Sequence, residues 1–148
     1  MDKDLKIEVA DIIQRLNKIE YDYGQEINKK SLFRNAGRKV VKQLRSNAPV
    51  DEGNLRDSMA ILNFKRDKTA IYAGPRYHSA TNSEGERRNA IGPHAHLVEY
   101  GFITRSGKRV EGRPFIKQTY NQTKAAVIAT LESDVIKLQK RLERKYGK

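Results

Sequence analysis

The chain has 148 residues, with 30 Lys and Arg against 18 Asp and Glu, for a net charge of +12. Its length fits one domain, 1–148. A composition of 37% apolar and 32% charged residues points to a modest core with surface reserved for partners. The absence of Cys excludes a disulfide framework and a thiolate metal centre, and no apolar run approaches the roughly 20 residues of a membrane span.

The first segment, Met1-Asp2-Lys3-Asp4-Leu5-Lys6, lacks the apolar stretch of a secretory leader. The expectation is a protein made in a cytoplasm, with no membrane partner. Leu5, Val9, Ile12, Leu16 and Ile19 recur at alternating spacings of four and three, which is one face of a helix, and Gly24 is placed to stop it. A second helix is expected over Glu26–Asn47, with Phe33, Ala36, Val40 and Leu44 on one face and Val41 beside them. Gly37 within it costs about 1 kcal/mol relative to Ala, so close packing against a neighbour is the reason to look for.

Pro49 ends that helix, because its ring clashes with the preceding turn and biases Ala48 toward extended angles. Gly53 then lets the backbone turn without a Cβ clash, and Asn54–Ser58 reads as a brief helical turn. Met59–Phe64 and Ala70–Gly74 read as strands joined by the polar turn Lys65-Arg66-Asp67-Lys68. The polar stretch 75–93 reads as a long mobile loop. Ala95–Tyr100 reads as a strand ended by Gly101, and 102–112 as a hairpin with Ser106-Gly107 at its tip. Pro114 suits the first turn of a helix that runs to about Tyr146. Tyr120, Val127, Leu131, Val135, Leu138 and Leu142 form its apolar face. About 32 residues at 1.5 Å each make a rod of about 48 Å, so Leu138 and Leu142 are expected to project beyond the domain and pack on another subunit. The whole reads as α+β: a small antiparallel sheet packed against two N-terminal helices and one long C-terminal helix.

Charge is unevenly spread. Residues 1–26 are acidic on balance, whereas Lys29, Lys30, Arg34, Arg38, Lys39, Lys42 and Arg45 follow one another without an acid. The segment 105–117 and the C-terminal turns are basic too. Head-to-tail association of copies explains this pattern, and so does binding of nucleic acid. The aromatic residues do not form a stacking array, which leaves nucleic acid as the alternative reading.

Candidate chemistry is thin. His94 and His96, on one face of a strand, are a possible Zn²⁺ or Ni²⁺ pair, with His78 upstream, but no third ligand stands at a convincing spacing. Glu99 lacks a partner acid or nucleophile for catalysis. It reads either as a register-setting partner of an arginine in this or the next subunit, or as a solvated edge acid. There is no Gly-x-Ser-x-Gly elbow and no phosphate-binding Gly-rich loop. No catalytic, cofactor or metal residue is assigned, and no enzyme activity is expected.

Three junctions carry more. Ala48-Pro49-Val50-Asp51-Glu52-Gly53-Asn54-Leu55-Arg56-Asp57-Ser58, then Val98-Glu99-Tyr100-Gly101, then Arg113-Pro114-Phe115 stand in this order from about Val40 to Leu131. In that order and spacing they resemble the HK97 gp10-like family of tailed-phage neck and tail-completion proteins. The resemblance implies a virion protein assembled in the host cytoplasm. It would form a ring, of six identical copies, that joins head to tail between head-closure and tail-terminator or tail-tube proteins. It also implies structural roles for Pro49, Gly53, Leu55, Arg56, Glu99, Tyr100, Gly101, Arg113, Pro114 and Phe115, with Arg56 and Arg113 bonding loop carbonyls or Glu99.

Overall fold

The computed structural model describes residues 3–50, 53–62, 70–76, 80–81, 87–88 and 94–147. In chain order the elements are α1 (Lys3–Tyr23), α2 (Lys29–Asn47), α3 (Asn54–Ser58), β1 (Met59–Leu62), β2 (Tyr72–Pro75), β3 (Ala80–Thr81), β4 (Arg87–Arg88), α4 (Ala95–Tyr100), β5 (Gly101–Ile103), β6 (Arg109–Glu111) and α5 (Phe115–Tyr146). The α+β class holds. The strands pair antiparallel two by two, as β1–β2, β3–β4 and β5–β6.

The long helices form the frame. α1 ends at Gly24, whose φ of +59° is open to a residue without Cβ. α2 starts three residues later than the sequence suggests, because the Asn28 side chain caps it by accepting from the Ser31 N–H at 3.0 Å. The turn between the two helices is held by Glu20, which accepts from the Ile27 N–H and from Lys29 Nζ, both at 2.8 Å.

Ile12, Leu16 and Ile19 of α1 pack with Ala36 of α2 and with Leu131, Val135, Leu138 and Leu142 of α5. Each such side chain, fully buried, is worth about 1.5–3 kcal/mol. This corrects the expectation for Leu138 and Leu142. They are buried within the chain, because α1 lies along the far half of α5 and covers it. Tyr120 and Val127 are only partly buried.

The α2–α5 seam carries a polar stripe beside its apolar one. Asn35, Lys39, Gln43 and Asn47 recur every four residues. They reach Asp134 at 3.1 Å, Thr130 at 2.7 Å, Gln122 at 2.9 Å and Thr119 at 2.9 Å. Partners four apart on one helix share a face, so this row fixes the antiparallel register of the two helices.

A second core lies at the other end of α2. Val41, Leu44, Ala48, Leu55, Met59, Ala95 and Phe115 form it, with Val40, Ile61 and Val98 against its edge. The β1–β2 ladder pairs Met59 with Pro75 through to Leu62 with Tyr72 and lies across α2. Gly37 is where they meet: a Cβ there would stand 2.7 Å from Ile71 Cδ1 and 3.4 Å from Ile61 Cδ1. Close packing is the reason for glycine inside this helix.

The expected turn 65–68 and His78 lie outside the described residues, as does most of the loop 75–93. Within that loop, Ala80–Thr81 pair with Arg87–Arg88. The segment Ala95–Tyr100 is a helix, not a strand. Ala95 and Glu99 are buried while His94, His96 and Tyr100 are exposed, a spacing of four rather than an alternation. The run is short and apolar enough to suit either state, and burial of that one face selects the helix. His94 and His96 therefore do not share a face.

Candidate functional site

The three sequence junctions converge on the second core. The first begins at Ala48, which is buried, and Pro49, which is half-buried. Asp51 and Glu52 lie outside the described residues. Gly53 is buried with φ +79°, the left-handed region where glycine has no steric penalty. α3 then turns Leu55 into the core, and the Ser58 hydroxyl donates to the Leu55 carbonyl at 2.6 Å. Arg56 folds back over Gly53 and pairs with Asp57 at 3.0 Å. Both partners are exposed enough that the pair adds little. Arg56 does not reach Glu99.

The second and third junctions are bolted together through Glu99. Its side chain is 6% exposed. It accepts from the Ile116 N–H at 2.8 Å and from the Lys117 N–H at 3.1 Å. These are orphan donors of the first turn of α5. Pro114 stands one residue before the helix, at its cap, and has no side chain able to cap it. Phe115 N–H turns back to the Arg113 carbonyl at 2.7 Å, and Gln118 N–H makes the first intrahelical bond, to Pro114, at 3.0 Å. Every amide at this helix start is thus accounted for. The two left over, on Ile116 and Lys117, are met by a carboxylate from α4, with the sign of charge that a helix N-terminus favours.

Within the chain, then, the partners of Glu99 are backbone amides rather than an arginine, and it is not a solvated edge acid. Arg113 contributes its backbone: its N–H donates to the Val98 carbonyl at 2.7 Å, and its side chain is exposed. A signal for this was present. Gly112-Arg113-Pro114-Phe115 offers no Ser, Thr, Asp or Asn to open a long helix, so the cap had to come from elsewhere.

The same junction launches a hairpin. Gly101 caps α4 with φ +77° and starts β5. A Cβ on Gly101 would collide with the Val110 carbonyl oxygen and sit 2.7 Å from Gly112 N, while one on Gly112 would sit 2.5 Å from the Tyr100 carbonyl carbon. Two glycines let the backbones cross in contact at the hairpin root. β5 and β6 pair Phe102 with Val110 and Ile103 with Arg109. The tip is closed by Thr104 N–H to the Lys108 carbonyl at 2.8 Å and by Gly107 at φ +80°.

Apolar side chains collect here in the open. Tyr100 is 81% exposed, Ile103 72% and Phe102 41%, with Val110 and Ile116 alongside. Single exposed apolar residues are ordinary, but a cluster of them marks a contact surface. Sequence reasoning placed the hairpin and missed this cluster. No alternation betrays it, because both faces of the ribbon are open.

Among the described residues, no group of three or more His, Cys, Asp or Glu stands close enough to hold a metal ion, and no helix is long and apolar enough to cross a membrane. No curated protein and no solved structure matches the chain. A family model described as "Bacteriophage HK97-gp10, putative tail-component" matches residues 10–101, more than half of the chain. The matched span takes in the α2–α3 turn and α4 with Glu99, and it stops at Gly101, short of Arg113-Pro114-Phe115. This chain belongs to the HK97 gp10-like family of phage structural proteins.

Proposed function

We propose that this protein is a neck or tail-completion component of a tailed phage or prophage, which joins head to tail by forming a ring of identical copies, six in number. It acts by binding and shape, without turnover, and its place is the virion. Its neighbours are a head-closure protein on one side and a tail-terminator or tail-tube protein on the other.

The observation that carries this reading is the exposed apolar hairpin. A lone two-stranded hairpin is marginal in water. Among the described residues β5 and β6 pair only with each other, so each leaves an edge able to accept another strand. A neighbouring copy that lays its β5 beside this β6 continues the antiparallel order and sets its own Phe102 and Ile103 alongside the exposed side chains of β6. Such a contact is head-to-tail, and a head-to-tail contact closes into a ring when its rotation allows. Tyr100, Gly101, Arg113, Pro114 and Phe115 then hold the hairpin in place, and Pro49, Gly53, Leu55 and Arg56 shape the core beneath it.

The test is Ile103→Asp with Val110→Asp, two exposed positions whose replacement leaves both cores untouched. Size-exclusion chromatography with light scattering follows the protein alone, and negative-stain imaging follows it with purified tail tubes. The expected result is a folded monomer that no longer forms rings or caps tubes. Unimpaired assembly of the variant overturns the reading.

A further inference from the structure

Away from the hairpin, a groove of about 580 Å³ runs between α2 and β1, lined by Arg34, Arg38, Lys42, Arg45 and Arg76. Val41, Ala60 and Ile61 also line it, and among the described residues no carboxylate contributes. Arg34, Arg38, Lys42 and Arg45 are spaced four, four and three along α2, so they form one row over about 16 Å at 1.5 Å per residue. All five cations are exposed. Arg45 is anchored through Nη2 to the Met59 carbonyl at 3.0 Å. We propose that this groove binds the phosphate backbone of a nucleic acid without reading its sequence.

Three observations select that occupant. Four of the five cations are arginines, whose planar fork suits phosphate oxygens. Val41 and Ala60 are already buried in the protein's own core and Ile61 is half-buried, so the groove offers a protein partner little apolar area. The binding energy it can supply is electrostatic, which is the main term in sequence-independent nucleic-acid binding. A second copy is a poor match. Along the outer face of α1, Glu8, Asp11, Arg15, Lys18 and Asp22 mix both signs, leaving no acidic row of comparable length. The inference does not rest on ring formation.

The experiment is fluorescence anisotropy of a labelled 20-base-pair duplex with the full chain at 50–200 mM salt. Five phosphate contacts give a slope of log K against log salt of about −4.5, or about a 500-fold loss over that range. Neutralising Arg34, Arg38 and Lys42 together to Gln is expected to cut the slope to about −1.8. A control triple of Lys137→Gln, Lys140→Gln and Arg144→Gln removes the same charge elsewhere and is expected to leave the slope near the wild-type value. Circular dichroism melts confirm that both triples fold, and Arg76→Gln across the groove supplies an independent variant if the first does not. Three results overturn the proposal: no duplex binding at 50 mM salt, equal loss in both triples, or binding of poly-glutamate that the duplex does not displace.

Discussion

Replacing Glu99 by Ala removes both acceptors at the start of α5 and leaves the Ile116 and Lys117 amides without them in a partly buried site. A hydrogen bond to a charged group contributes about 1.5–3 kcal/mol, and a favourably placed charge at a helix N-terminus adds up to about 2 kcal/mol. Against that stands the cost of burying a carboxylate, several kcal/mol before its hydrogen bonds are counted. The net loss expected for Glu99→Ala is about 2–4 kcal/mol. For a chain of this size each kcal/mol lowers the melting temperature by about 3 °C, so the melt should fall by about 6–12 °C. Glu99→Gln keeps one acceptor and should fall about half as far. Circular dichroism at 222 nm against temperature, with urea titrations for ΔG, reads both. Glu111→Gln is the internal control: its ion pair with Arg109 is 82% and 74% exposed, and its loss should cost less than about 0.5 kcal/mol. A Glu99→Ala variant melting within 2 °C of wild type would refute the view that this carboxylate ties α4 to α5.

Two further outcomes follow from the geometry. Gly101→Ala must hold φ +77° with ψ 177°, a combination essentially reserved for glycine and costing on the order of 1–3 kcal/mol, and must also push a methyl against the Val110 carbonyl and Gly112. Loss of more than about 3 kcal/mol is expected, with faster tryptic cleavage in the hairpin. Gly107→Ala at the open tip meets nothing and should lose only the backbone share. The second outcome concerns Glu20. The Lys29 ammonium, and after it the Ile27 amide, hold its carboxyl below the ordinary value of 4.5. A lowered folded value means stability present above the unfolded one and lost as pH falls through the folded one. The pair is partly exposed and screened, so the difference between wild type and Glu20→Gln should be at most about 1 kcal/mol at pH 7. It should vanish in acid, below the lowered value. A difference constant from pH 7 to pH 3 would exclude this role.

Much of the frame was legible because it rests on period and punctuation. The spacing of Ile12, Leu16 and Ile19 named the buried face of α1, and Leu131, Val135, Leu138 and Leu142 named that of α5. Gly24, Pro49, Gly53 and Gly107 named turns through their backbone chemistry. Ala95–Tyr100 was not legible as a helix. Six residues are too few for one period to exclude another, and the deciding fact, Phe115 arriving from 20 residues along the chain to pack with Ala95, is tertiary. The role of Glu99 was hidden for the same reason, since its partners are backbone amides 17 and 18 residues along the chain. That α1 covers Leu138 and Leu142 was not legible, because helical period shows that a face is apolar without showing what covers it. The arginine row on α2 was visible as charge, but the groove beside it required β1 and Arg76 to be placed.

The crossing of Gly101 and Gly112 also governs how the hairpin transmits force. A stalk with a swivel at its base would absorb a pull by bending there. Here two segments of the backbone stand in contact, and the Glu99 and Arg113 bonds clamp the base to the end of a lever about 48 Å long. Tension applied at the tip is therefore expected to reach Phe115 and its neighbours, so that the core opens before the root flexes.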